Sequence, residues 1–287
     1  MGKKIRKHLR TIVQICVTAL TNGYAAGFAR GTIYKGNSKV VCVPGLNCYS
    51  CPGALGACPI GSFQAVVTSR DHVFSYYVVG FLLLFGTLLG RFVCGWLCPF
   101  GLVQDLLYKI PFPKKLKKLP GDRVLRFLKY VILIGFVIIL PLTVLDVVGQ
   151  GQPWFCKYIC PSGTLFGGIP LISANPALQS ALSWLFTWKF ALLVVLLLLS
   201  IVVYRPFCRY LCPLGAVYSV FNPVALYRYS VNEQTCTQCK ACQKACPMDI
   251  PVYKKPNSPE CIRCGKCKAA CPHQSICSTF SSKKKKP

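Results

Sequence analysis

Acid is scarce in this sequence: 7 Asp plus Glu stand against 34 Lys plus Arg in 287 residues, of which 53% are hydrophobic. A soluble domain rarely combines so much apolar content with so few carboxylates. The shortage also argues against a chain that itself carries ions across a membrane, since that work needs a carboxylate inside the lipid. Histidine is almost absent, with only His8, His72 and His273, and no helix carries a facing pair, which disfavours haem. No GxGxxG follows a strand, so no dinucleotide-binding unit is visible. The basic excess would suggest nucleic acid if it lined a folded soluble face. It clusters instead beside apolar runs, where orientation and anionic lipid account for it, and no nucleic-acid partner is expected.

What is present begins with those runs. Several approach the roughly 20 residues that cross a hydrocarbon core about 30 Å thick. Four crossings are expected: residues 11–28 after the basic leader MGKKIRKHLR, residues 72–89, residues 124–148 with a kink at Pro141, and residues 188–204. The leader resembles a signal peptide in outline but lacks a convincing cleavage site, so the first helix is read as retained. The lysines of PFPKKLKKLPGDR mark a cytoplasmic loop. The reading is an α-helical protein of the inner or cytoplasmic membrane, multi-pass, with both termini cytoplasmic. Residues 1–220 form the membrane domain, residues 221–280 a second domain, and residues 281–287 a basic tail touching lipid.

Twenty cysteines carry the chemistry. Cys236, Cys239, Cys242 and Cys246 before Pro247 read C-x2-C-x2-C-x3-C-P, and Cys261, Cys264, Cys267 and Cys271 before Pro272 repeat it. This is the spacing of a bacterial two-cluster ferredoxin, an α+β unit in which the fourth cysteine of each run reaches the other cluster. One 4Fe-4S cluster is therefore expected on Cys236, Cys239, Cys242 and Cys271, and the other on Cys261, Cys264, Cys267 and Cys246. Zinc knuckles are the competing reading of eight thiols in CxxC runs.

The remaining cysteines follow a repeat: helix, outer cysteine loop, helix, inner CxxxCP, once in residues 11–101 and again in residues 124–215. Two halves of like orientation bring CGWLCPFG and CRYLCPLG to one depth. A CxxxC pair, read as one helical turn, is half a cluster site. Cys94, Cys98, Cys208 and Cys212 are thus expected to share a cluster near the cytoplasmic face. Cys156 and Cys160 are expected to combine with thiols from Cys48, Cys51 and Cys58 near the outer face. Five candidates compete there for four places, Cys42 is taken as spare, and disulfides are the alternative for that loop. Cys16 is read as a buried, inert thiol. Proline after the second cysteine lets the chain turn away, and Gly61, Gly101, Gly163 and Gly215 allow close backbone approach. Asp105 and Asp146 are read as solvated helix ends. Lys109, Arg205 and Arg209 either balance the inner cluster's charge or anchor to headgroups.

CGWLCPFG, CRYLCPLG and SPECIRCGKCKAACP, with four crossings and a C-terminal ferredoxin unit, resemble the polyferredoxin membrane proteins of the NapH type and their relatives in nitrous-oxide respiration. The resemblance implies an electron-transfer subunit of an oxidoreductase complex, with other redox subunits, a flavoprotein or quinone as partners. The pair Cys156 and Cys160 and the NCYSCPGALGACPIG loop depart from the simpler relatives and favour a longer electron path. The function expected is relay through 4Fe-4S clusters between a cytoplasmic or quinone donor and an extracytoplasmic acceptor. A redox sensor or assembly factor, or the electron-carrying subunit of an ion-pumping complex, are the alternatives.

Overall fold

The computed structural model describes residues 2–68, 76–146, 151–180 and 183–279. The lysine tail at 281–287, and the start of the second expected crossing at 72–75, lie outside the described residues. Two helices among those described are long and apolar enough to cross a membrane by length and composition: Asp122–Thr143 and Trp184–Val202. Only 22% and 17% of their apolar windows are buried. A core helix of a soluble protein would be covered, whereas these turn Val124, Phe127, Val131, Val195 and Leu198 outward. Tyr76–Leu89 is a shorter apolar helix.

The expected boundaries shift for local reasons. The first helix runs over Gly2–Thr21 and stops at Asn22-Gly23, short of residue 28, because Thr21 and Asn22 side chains bond back to carbonyls of the last turn. A separate short helix, Ala25–Arg30, ends at left-handed Gly31. Cys16 is exposed on the first helix rather than buried.

The third apolar helix ends at Thr143, not near residue 148, and passes through a π segment at Leu133–Ile139. Proline explains the register. In a π turn the carbonyl of Phe136 would accept from residue 141, but Pro141 has no N–H. The fully buried Gln64, on the helix Pro59–Val67, donates to that carbonyl at 3.1 Å. The fourth helix starts four residues earlier than expected, at Trp184 behind Ser183, and ends at Val202.

The C-terminal unit holds two short helices, Ala241–Lys244 and Lys266–Ala270, and one antiparallel pair, Tyr229–Val231 with Ile276–Ser278. It is fastened to the helical part by buried charge. Glu260 pairs with Arg91 at 2.7 Å and with Lys129 at 2.5 Å, both cations being fully buried. Arg263 donates to the carbonyls of Leu89 and Asn222 at 2.6 Å each, and Trp96 donates to the Arg263 carbonyl at 3.1 Å. Between them Gly95 lies against the Ile262 carbonyl so closely that a Cβ would collide with it.

Candidate metal centres

Four cysteine-proline steps share one local device. Cys58, Cys98, Cys160 and Cys212 each stand at the N-cap of a helix whose first residue is proline: Pro59–Val67, Pro99–Leu107, Pro161–Gly163 and Pro213–Phe221. Proline suits the first helical position because its missing N–H would be unpaired there anyway. At Cys212 the sulfur takes the place of a capping oxygen: the N–H of Gly215, three residues on, donates to Cys212 Sγ at 3.4 Å. The proline thus starts the next helix as well as turning the chain. Cys94 belongs to a separate short helix, Phe92–Trp96, so the inner CxxxC is a break between two helices and not one helical turn. Phe207 and Cys208, in Pro206–Tyr210, repeat that geometry.

The structure brings Cys94, Cys98, Cys208 and Cys212 together from opposite halves of the chain. All four are buried, and Cys212 lies within electrostatic reach of the other three. Two arginines brace the group reciprocally. Arg91, three residues before Cys94, donates to the Cys208 carbonyl at 2.8 Å, while Arg205, three residues before Cys208, donates to the Cys94 carbonyl. Gln104 adds a 3.1 Å bond to Cys208 Sγ. Burial pushes the Cys208 thiol up to about 11, against the pull of Arg205. Thiolates here need a cationic partner, as metal ligation provides.

Asp105 is no solvated helix end. It forms a two-pronged pair with Arg205, through Nε at 2.8 Å and Nη2 at 2.5 Å, and a second pair with Arg10. Burial opposes its charge, but Arg205 and Arg10 prevail and hold it at about 2. Arg205 and Arg209 are fully buried, which removes them from headgroups. Arg209 reaches Asp122 at 2.7 Å and the Lys117 carbonyl at 2.9 Å. Lys109 is exposed and distant from this role. Asp146 is exposed and accepts from Gln152 at 3.3 Å.

A second group forms from Cys48, Cys58, Cys156 and Cys160. Cys156 lies within electrostatic reach of the other three. A Cβ on Gly163 would stand 3.7 Å from Cys48 Sγ and 4.0 Å from Cys160 Sγ, and one on Gly61 4.0 Å from Cys156 Sγ. Burial raises Cys58 to about 12 and Cys160 to about 11. Lys189 bonds the Cys156 carbonyl at 3.1 Å and Lys39 the Tyr49 carbonyl at 2.6 Å, so two cations border the group. Cys51 is fully buried beside Cys48 and Lys39, and Cys42 rests on Ser62 at 3.6 Å. All the described cysteines are free thiols, with no disulfide in the outer loop.

That loop does not stay at a far surface. A Cβ on Gly45 would stand 3.0 Å from Cys98 Cα. The loop that carries Cys48 thus touches the inner group as well.

In the C-terminal unit, one pocket is lined by Cys236, Cys239, Cys242 and Cys271. Another is lined by Cys246, Cys261, Cys264 and Cys267. The turns that shape them match: left-handed Gln238 and Lys240 in the first run correspond to Arg263 and Gly265 in the second, and Asp249 to Gln274 after the two prolines. Among the described residues no trio of Cys, His, Asp or Glu is arranged to hold a single metal ion. Zinc would draw its thiolates to about 3.8 Å of one another. A 4Fe-4S core takes one thiolate on each of four irons and suits groups of four set further apart.

Three segments, residues 71–120, 128–173 and 183–225, match the family model described as a 4Fe-4S binding domain. Each contains one CxxxCP pair. Over those segments, just under half of its length, the chain is similar to 4Fe-4S binding domains. It is similar to two uncharacterized proteins of Methanocaldococcus jannaschii, one 32% identical with 58% of this chain and 63% of the relative covered, the other 30% identical with 58% and 55% covered. A methylamine utilization ferredoxin-type protein, MauN of Methylobacillus flagellatus, is 31% identical over 59% of this chain and 52% of its own length. The chain thus spans between about half and two thirds of these relatives. None of these matches singles out the NapH type. No solved structure matches the chain.

Arg91, Gln104, Lys129 and Glu260 were not among the expected site residues. Arg91 had a signal: RFVC and RPFC place an arginine three residues before the first cysteine of both inner motifs. Glu260 had only its rarity as a carboxylate, directly before Cys261.

Proposed function

We propose that this chain relays electrons within a membrane through four 4Fe-4S clusters. Cys236, Cys239, Cys242 and Cys271 hold one cluster, and Cys246, Cys261, Cys264 and Cys267 a second. Cys94, Cys98, Cys208 and Cys212 hold the inner membrane cluster, and Cys48, Cys58, Cys156 and Cys160 the outer one, with Cys51 and Cys42 outside the ligand set. The clusters supply one-electron redox chemistry. The protein's part is to exclude water and balance charge: Arg91 and Arg205 at the inner group, and Lys39 and Lys189 at the outer. The observation that carries this reading is the convergence of thiols from separate halves of the chain into fours, braced by reciprocal arginines.

Four crossings, with both termini cytoplasmic, complete the reading. Asp122–Thr143 and Trp184–Val202 are joined by Gly2–Thr21 and by the pair Pro59–Val67 and Tyr76–Leu89. Residues 1–220 form the membrane domain and 221–280 the two-cluster domain. Electrons pass between a cytoplasmic or quinone donor and an extracytoplasmic acceptor, in a complex with other redox subunits. By motif order the chain resembles the NapH kind of ferredoxin-type protein. Asp105 is not the proton acceptor for a quinol, because two arginines hold it ionised.

Iron and acid-labile sulfide per chain test the proposal, with about sixteen of each expected. Cys94→Ala and Cys58→Ala each remove one distinct centre, and Cys51→Ala removes none. A content of about eight irons, as the C-terminal unit alone would hold, refutes the membrane clusters.

A further inference from the structure

The loop that supplies Cys48 to the outer group also packs on the inner group. Leu46 and Asn47 are almost completely buried, at 2% and 1% exposure, so this is packed interior rather than a surface loop. Gly45 lies against the Cys98 backbone, and three residues later Cys48 Sγ faces Cys160 across Gly163.

Tyr218 holds this loop in place. It is fully buried on the helix Pro213–Phe221, which leads away from Cys212, and its hydroxyl donates to the Pro44 carbonyl at 3.0 Å. The same hydroxyl lies within electrostatic reach of Cys94 and Cys98 in one group and of Cys58 in the other. A phenol here fills the gap between two clusters and anchors the strand of backbone that joins them. Gly45 permits the approach, since any side chain would press on Cys98 Cα, the Leu97 carbonyl and Pro99.

We propose that residues 44–48 are a direct bridge between the inner and outer centres, with Tyr218 as the residue that positions it. The inference rests on the four-cluster reading above and adds the route. Electron exchange between the two centres would leave one oxidised as the other is reduced, and the chain's part is the covered path from the Cys98 backbone across its contact with Gly45 and along the backbone to Cys48. The C-terminal unit, whose Ile262 packs on Gly95 beside Cys94, adjoins the inner centre.

The test uses the full chain in detergent or lipid nanodiscs, reduced chemically and followed by electron paramagnetic resonance with iron content measured on the same samples. In the parent protein the reduced inner centre should show a signal broadened or split by its neighbour. Cys58→Ala, which removes the outer centre, should narrow that signal. Tyr218→Phe conserves packing and should keep all the iron while shifting the midpoint potentials of both membrane centres, which hydrogen bonding and local dipoles control. Gly45→Ala should displace the bridge, shift the inner centre and weaken the splitting, providing a second variant should Tyr218→Phe fail to fold. With about sixteen irons present, an inner signal indifferent to loss of the outer centre overturns the bridge alone. Potentials in Tyr218→Phe that move at one centre only, or at neither, overturn the positioning role. An iron content of about eight overturns the bridge together with the relay beneath it.

Discussion

Replacing Glu260 with Gln tests whether buried charge, and not general adhesion, fastens the C-terminal unit to the helices. Glu260 is the shared partner of Arg91 and Lys129, at 2.7 and 2.5 Å, and neither cation has any exposed side-chain surface. The substitution preserves shape but leaves two buried cations facing a neutral amide. Breaking a buried pair by removing one partner costs about 3–5 kcal/mol. At about 1.4 kcal/mol per tenfold, local opening of the contact should become more frequent by roughly a hundredfold to a few thousandfold. Hydrogen exchange reads this directly: the amides of Phe92–Trp96 and of residues 259–263 should lose protection by that factor, while Trp184–Val202 keeps its own. Lys129→Met, which removes one buried cation and leaves Glu260 paired with Arg91, should give a much smaller effect. Loss of protection below about fivefold in Glu260→Gln, the scale of an ordinary single hydrogen bond, would refute the reasoning.

Other expectations follow from the same contacts. The Glu260 carboxyl, disfavoured by burial but held at about 2 by Arg91 and Lys129, starts from an ordinary 4.5. Its contribution to docking is therefore complete above about 4.5 and is lost as pH falls toward 2, so exchange protection at residues 259–263 should decline across that window and not between pH 5 and 8. Gly95→Ala would push a methyl into the Ile262 carbonyl and should lower stability by about 1–3 kcal/mol, measured as a shifted denaturant midpoint of cluster absorbance. Gln64→Leu orphans the Phe136 carbonyl above Pro141 and should cost about 1–3 kcal/mol in the melting of the helical part; a neutral result would mean that the carbonyl finds another donor.

Local pattern carried much of this architecture. The doubled ferredoxin spacing fixes short turns in which three thiols must surround one cavity and a fourth must reach the other, and the cavities are lined in that crossed order. The paired inner motifs were legible because a duplicated half-site needs its copy. Boundaries were less so. The first helix stopped early through side-chain to backbone bonds at Thr21 and Asn22, and a proline expected to kink a helix was absorbed by a π segment with a donor 72 residues away in sequence. The one-turn reading of CxxxC failed because proline at the first helical position makes the preceding cysteine a cap.

Cysteine spacing, apolar run length and the shortage of acid, read from the chain alone, pointed to 4Fe-4S binding motifs set among apolar helices. Those properties depend on neighbours a few residues apart. Only the tertiary structure decided that Cys48 lies near Cys58, Cys156 and Cys160, that Asp105, Asp122 and Glu260 are paired with buried arginines and a lysine, and that the loop before Cys48 descends onto Cys98. Each of these depends on which distant segments share a small volume, where packing and charge balance over the whole fold choose among partners that look equivalent along the chain.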